Sequence, residues 1–367
     1  MTRKTLVLLA IACFFAAPAV AEVDIKELIA EAGLREGPVA MRDVKGWRPP
    51  QKNIIVDRFE QGMGEDMQGI ADDVEVVSVG SVAEAAEAVV DADAVIGYCN
   101  DDVVSAGKRL VWVQVGSSGV ERCLSTPALA DGSVVLTNMQ KMSSPIIGEH
   151  AVALMMSLAR GVPQQSKAMQ SGEWNRRFGD ELGMISLDGK TVLVVGLGGI
   201  GKAVAKRASG LGMRVVATRN SSREGPDYVD YVGLSGELLQ LAAEADVIVN
   251  ALPLTPQTRG LFNEEFFDAA KKGHLFVNVA RGGSVVTDDL VAALQDGRVG
   301  GAGLDVTDPE PLPADHVLWQ MPNVIITPHI AWYGSTGERE RALAAENLRR
   351  FIAGDALLNV VDPERGY

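Results

Sequence analysis

Arg281, Glu310 and His329 are the residue types needed to hold a small carboxylate and to protonate a carbonyl beside it. A fixed guanidinium recognises a carboxylate and polarises a neighbouring carbonyl. An imidazole gives or takes the proton of a carbinol near neutral pH. A carboxylate bonded to its far nitrogen orients the ring and favours the protonated form. Taken singly, the first two read as surface ions and the third as a satisfied core histidine. Their shared placement sets them apart: Arg281 follows Phe276–Ala280, Glu310 follows Gly303–Val306 by a short loop, and His329 follows Ile325–Pro328. Each therefore sits just past the C-terminal end of a predicted strand, where open α/β sheets bind ligands. The chain has four histidines and one of them, His150, falls inside an apolar helix, so His329 is the best available base.

The residues at 191–220 say what the three would face. Thr191–Val195 is a short apolar, β-branched run, and Gly196, Gly198 and Gly201 follow at G-x-G-x-x-G spacing before a helix from about Ile200 to Leu211. Such a strand, turn and helix binds a dinucleotide. The first glycine makes the tight turn, the second lets backbone approach a pyrophosphate, and the third lets helix and strand pack closely. The helix N-terminus aims free N–H groups and a positive dipole end at the phosphates. An acid about 20 residues on would bind the ribose 2′-hydroxyl of NAD. Here Arg219, Asn220, Ser221, Ser222 and Arg223 occupy that loop. A guanidinium clamps a 2′-phosphate where a carboxylate would repel it, so the expected cofactor is NADP rather than NAD. The alternative is a solvated polar loop. With a nicotinamide supplied, the three ionisable residues suit hydride transfer to the C2 carbonyl of a 2-oxo acid.

These residues need elements to position them, and strands alternating with helices supply an α/β fold with parallel sheets. Predicted strands in the first half are Asn53–Val56, Val74–Val79, Ala94–Tyr98, Leu110–Val115 and Val134–Asn138, with a helix at Val82–Val90. The second half has strands at Thr191–Val195, Val215–Thr218, Val247–Ala251, Leu275–Val279, Gly301–Asp305 and Val324–Ile326. Helices at Ser235–Ala243, Glu264–Ala270 and Thr287–Asp296 lie between them. Ser143-Ser144-Pro145 starts a helix over Ile146–Ala159 that is apolar nearly all round and so predicted to be deeply buried. A second helix follows at about Pro163–Ser171. The expected architecture is two doubly wound, Rossmann-like parallel-sheet domains with a crevice between them. One comprises 51–142 together with 335–367, joined by an amphipathic helix at Gly337–Ile352 that folds back, and the other 143–334. Residues 22–50 read as an extension: a short helix near Ile25–Glu31, then loop.

At 367 residues, 47% hydrophobic and 22% charged, the composition is that of an ordinary globular protein with room for two domains. A balance of 34 Lys+Arg against 48 Asp+Glu gives −14 with no basic stripe, which argues against nucleic acid and anionic membrane as partners. No metal is expected. Residues 1–21 read as a signal peptide, with Arg3 and Lys4, an apolar Leu6–Phe15 and Ala19-Val20-Ala21 before Glu22. A lipoprotein signal at Cys13 and an uncleaved anchor are its rivals. Export conflicts with the cytoplasmic supply of nicotinamide cofactor, so a cytoplasmic location is the alternative. Cys99 and Cys123 could pair after export, but their surroundings suggest no disulfide framework and favour buried free thiols.

From about Asn53 onward the sequence resembles the D-isomer-specific 2-hydroxyacid dehydrogenases. The resemblance is carried by GLGGIG at 196–201, LPLTPQTRG at 252–260, VNVARGGSVV at 277–286, GAGLDVTDPEPLP at 301–313 and TPHIAWY at 327–333. It implies Arg281 on the substrate carboxylate, Glu310 orienting His329, and His329 as proton donor in reduction. It places Asp305 toward the nicotinamide carboxamide, Ala280 along the cofactor, and Gly199 and Ile200 N–H groups on the pyrophosphate. VQVGSSGVERCL at 113–124 resembles the loop whose amides hold the carboxylate, at Ser118 and Gly119; a nest of N–H groups is a sound anion site. The acid of NAD-using members is replaced by Arg219, as in NADP-using ones, and Glu310 disfavours the formate dehydrogenase branch. Trp332-Tyr333 stands where small residues are usual, either walling the substrate pocket or packing on the last helix. The implied activity is NADP-dependent reduction of a small 2-oxo acid, such as glyoxylate or hydroxypyruvate, by a homodimer. The alternative is a dinucleotide-sensing interaction protein like the family's corepressor branch, which carries a similar A-W-Y.

Overall fold

Runs of Val, Ile and Leu too short for helices form strands, buried on both faces in the sheet interiors and partly exposed at the edges, and these build two parallel sheets. The computed structural model describes residues 23–49, 53–57, 67, 70, 74–181, 183–334 and 337–366. The segment read as a signal peptide lies outside them. Among the described residues no helix is long and apolar enough to cross a membrane.

The first sheet has five parallel strands: β2 (Asn53–Asp57), β3 (Glu75–Val79), β4 (Ala94–Ile96), β5 (Trp112–Gln114) and β6 (Val135–Thr137), in the order β3-β2-β4-β5-β6. The second has seven: β7 (Thr191–Val195), β8 (Arg214–Thr218), β9 (Tyr231–Gly233), β10 (Val247–Asn250), β11 (His274–Asn278), β12 (Val299–Leu304) and β13 (Val324–Ile326). Their order is β13-β12-β11-β10-β7-β8-β9, all parallel. The chain leaves β7 in one direction and returns to β10 on its other side. The switch point between these strands opens a crevice at their C-terminal ends, where the glycine turn lies.

Alternation of side chains gives each sheet two apolar layers. In the larger sheet Leu193, Val195, Ile248 and Phe276 share one layer with Phe262, Phe266 and Phe267, while Val192, Val194, Val247, Val249 and Val277 form the other. In the smaller one Ile54, Ala94, Ile96 and Trp112 pack with Leu343, Ala344, Leu348 and Phe351 of the C-terminal helix Gly337–Ala353. Trp112 and Phe351 meet with ring centroids 5.1 Å apart. The last helix thus folds back onto the first sheet, as its amphipathic pattern predicts.

Several features depart from the expectations. The extension is not all loop: β1 (Glu36–Ala40) pairs antiparallel with β14 (Ala356–Leu358), a strand 320 residues away that nothing local to β1 announces. A helix at Asp101–Ala106 fills the gap between β4 and β5, started by Asn100 and two first-turn acids. The Ser144–Ala159 helix buries one face only, through Gly148, Ala151, Leu154 and Met155, so it is not enclosed all round. Cys99 and Cys123 are not free thiols: they form a disulfide, because the loops after β4 and β5 bring their Cα atoms to 5.2 Å.

Candidate active site

The glycine turn has little freedom to be anything else. Gly196 adopts φ +97°, and a Cβ there would lie 2.9 Å from the Ala251 carbonyl oxygen across the switch point. A Cβ on Gly201 would lie 1.9 Å from the Gly196 carbonyl oxygen, which forces glycine where helix meets strand. Gly199 backs onto Ser144 and Lys141 in the same way. Over Gly198, by contrast, a Cβ would meet nothing within 4 Å, and Gly198 caps the Gly199–Gly210 helix without a side-chain bond. Open space thus lies beside the start of the helix, Ile200 included, where N–H groups remain free for an anion. These residues fit a dinucleotide.

Lys141 borders this turn, a position sequence reasoning missed. Its ammonium donates to the Gly33 carbonyl, and its backbone takes φ +76°. Burial first, then the charges of Arg35 and Lys202, push that ammonium below the usual lysine range.

The loop after β8 divides its two arginines. Arg219 Nη1 donates to the Glu224 carbonyl at 3.0 Å, and Asn220 and Ser221 beside it are exposed. Arg223 is taken up elsewhere, 2.7 Å from Glu237 and 2.9 Å from the Tyr231 hydroxyl. Hydrogen bonds from Tyr231 and Arg223 hold the Glu237 carboxyl down at about 2. Only one of the two predicted cations therefore remains available to a ligand.

Strands β11, β12 and β13 are neighbours, with Asn278, Leu304 and Ile326 level at their ends. Just past these ends stand Arg281, Asp305 and His329. His329 Nδ1 lies 2.6 Å from Glu310 Oε1, leaving Nε2 to face away from the acid. Its backbone sits at φ +55°, a conformation that histidine adopts more readily than most side chains. That turn is fixed from below by Asp305, which is 2% exposed. Its Oδ1 accepts from the Thr327 hydroxyl at 2.6 Å and from Ile330 N–H at 3.0 Å, and its Oδ2 accepts from Ala331 N–H at 3.0 Å. His150 Nε2 completes the group, 2.9 Å from Thr327 Oγ1. Asp305 thus braces the His329 loop from the end of β12.

Arg281 crosses the crevice. Its Nε donates to Glu121 Oε1 at 3.0 Å, its Nη1 to the buried Ala280 carbonyl at 2.8 Å, and its Nη2 lies where a Gly119 Cβ would be, 1.9 Å away. A residue of the seven-stranded sheet is therefore seated on the loop after β5. That loop is braced in turn: Asn138 donates to the Ser118 carbonyl at 2.9 Å, and Ser118 Oγ donates to the Met139 carbonyl at 3.1 Å. The Arg281 backbone hangs on a buried polar group that apolar patterning hides. Its carbonyl accepts from Asn278 Nδ2 at 3.1 Å and from Ser284 Oγ at 2.7 Å, and Asn250 Nδ2 bonds both partners. Trp332 is half-exposed, donating its indole N–H to the His329 carbonyl at 3.1 Å and touching the exposed Tyr333. Neither ring enters the core under the last helix.

The profile described as "D-isomer specific 2-hydroxyacid dehydrogenase, NAD binding domain" matches residues 152–331. The chain is 35% identical over 284 residues to the glyoxylate reductase of Pyrococcus furiosus, covering 73% of this chain and 74% of that one. It is 32% identical over 318 residues to the D-3-phosphoglycerate dehydrogenase of Methanocaldococcus jannaschii, covering 85% of this chain but only 59% of that longer protein. The fold superposes with a TM-score of 0.74 on the NADPH-dependent glyoxylate/hydroxypyruvate reductase of Sinorhizobium meliloti, solved with NADP and sulfate. The two are 27% identical, covering 86% of this chain and all of that one. The chain belongs to the D-isomer specific 2-hydroxyacid dehydrogenase family.

Proposed function

We propose that this protein is an NADP-dependent reductase of a small 2-oxo acid of the glyoxylate or hydroxypyruvate kind. The observation carrying this reading is the pairing of His329 with Glu310 on one side of the crevice and of Arg281 with the Gly119 loop across it. The names of the Pyrococcus and Sinorhizobium relatives point the same way. Gly196, Gly198, Gly199, Ile200 and Gly201 hold the cofactor's pyrophosphate, with Ala280 along its length. Arg219, Asn220 and Ser221 take the 2′-phosphate. The nicotinamide, when bound, supplies the hydride.

The protein's own residues do the rest. Arg281 Nη2 and the Ser118 and Gly119 N–H groups hold the substrate carboxylate, which fixes the C2 carbonyl beside His329. The imidazole holds a proton on Nε2 and delivers it to the carbonyl oxygen as C2 is reduced. Glu310 keeps Nδ1 bonded, so the ring presents Nε2 to the substrate. Asp305 and Thr327 hold the turn that carries the ring, and Trp332 stands at the rim of the pocket.

Two further parts of the proposal have their own support. A second copy of the chain would cover apolar surface left by Val152 and Met156 of the Ser144–Ala159 helix and by Trp174, which is 90% exposed. The Cys99–Cys123 disulfide suits an oxidising compartment and thus an exported protein. Initial rates of NADPH oxidation across a panel of 2-oxo acids test the central reading. Turnover with glyoxylate or hydroxypyruvate, and preference for NADPH over NADH, are expected; no turnover with any 2-oxo acid would refute it.

A further inference from the structure

Glu121 stands at the crevice, and the proposed reduction does not use it. It lies on the loop after β5 and reaches Arg281 from the other sheet, Oε1 to Nε at 3.0 Å. Its second oxygen, Oε2, lies 2.7 Å from where a Cβ of Gly119 would be, so the carboxylate flanks the spot over which the guanidinium is seated. The pair is only partly exposed, Arg281 at 32% and Glu121 at 42%. Arg281 has therefore already shared its charge before any substrate arrives. One edge bonds Glu121, Nη1 bonds the Ala280 carbonyl, and Nη2 alone is left over Gly119.

A single cation shared with a resident carboxylate can accept one more anionic group. A second negative group on the same substrate would meet Glu121, with no unshared charge on Arg281 to receive it. Resting on the reductase reading above, we propose that Glu121 sets the charge class of the substrate. The site takes 2-oxo acids with one carboxylate and an uncharged tail, and rejects those with a second carboxylate or a phosphate. Discrimination of this kind works through repulsion of the wrong ligand as much as attraction of the right one. It separates the chemistry named for the glyoxylate reductase relative from that named for the phosphoglycerate dehydrogenase relative.

The test compares hydroxypyruvate with phosphohydroxypyruvate, which differ only by the phosphate, in the full-length protein and in Glu121→Gln. Glutamine keeps an oxygen for Arg281 Nε and removes the charge. The kcat/KM ratio of the phosphorylated to the plain substrate should rise at least tenfold in the variant. Glu121→Ala, which removes the bond as well, should weaken both substrates, with glutamine restoring the plain one. Calorimetric binding of glycerate and 3-phosphoglycerate in the presence of NADP+ gives the same ratio without turnover. An unchanged or lowered ratio in both measurements overturns the role of Glu121 and makes the ion pair merely structural. Absence of NADPH oxidation with every 2-oxo acid overturns the reductase reading instead, and the binding ratio then decides for or against Glu121.

Discussion

The 2.6 Å contact between His329 Nδ1 and Glu310 makes two residues act as one group. Replacing the acid in Glu310→Gln leaves a bond to the ring but removes the carboxylate. Turnover in the reductive direction should fall by about tenfold or more. Unchanged turnover would show that the carboxylate itself plays no part. At the other end of the cofactor, Arg219→Asp replaces a clamp with a repelling charge. NADPH affinity should drop roughly 10- to 100-fold, the worth of a charge-assisted hydrogen bond of about 1.5–3 kcal/mol, while NADH affinity changes much less. Titrating both cofactors against the variant reads the difference, and equal losses would contradict the 2′-phosphate assignment. Arg281, Glu310 and His329 were legible in the sequence because each follows a recognisable strand. Glu121, Lys141 and the Asn250–Asn278–Ser284 group were not, since their partners lie on other elements and nothing in their own spacing marks them. Asp305 was legible as a site residue, but its bonds to Thr327, Ile330 and Ala331 were not.

At the scale of elements, the strands most easily read are the ones buried on both faces. Thr191–Val195 appears with its predicted bounds because an unbroken apolar run has no other stable home in a parallel sheet. Val324–Ile326, only partly buried at the edge of the sheet, keeps its bounds too. Strand β1, with the sequence EGPVA, carries no such signal and exists only because β14 offers it an edge. The loop that carries Ser118, Gly119 and Glu121 is tied to the end of β4 by Cys99–Cys123, a bond closing 24 residues. A loop of that length restrains the unfolded chain by about 3 kcal/mol. The Cys99→Ser/Cys123→Ser protein should lose about that much stability in denaturant titrations, and reduction of the unmodified protein should reproduce the loss. A pair of superimposable unfolding curves would show that the tie contributes nothing.

Across the whole molecule, the proposed reduction joins residues carried by two separate sheets. The C-terminal helix packs Phe351 on Trp112, and its buried Asn347 donates to Gln114 Oε1 at 2.9 Å and to the Leu358 carbonyl at 3.1 Å. These contacts hold the first sheet, and the Gly119 loop with it, to the end of the chain. Arg281 then brings the cofactor sheet onto that loop. The most direct test of this arrangement follows a label across the crevice, from NADPH deuterated at the transferring C4 position to the 2-hydroxy acid product. Mass spectrometry should find one deuterium at C2. In His329→Asn, a residue that tolerates the same left-handed backbone, the rate should fall about 10²- to 10⁴-fold with NADPH binding retained. Unlabelled product, or an undiminished rate without the imidazole, would contradict the account.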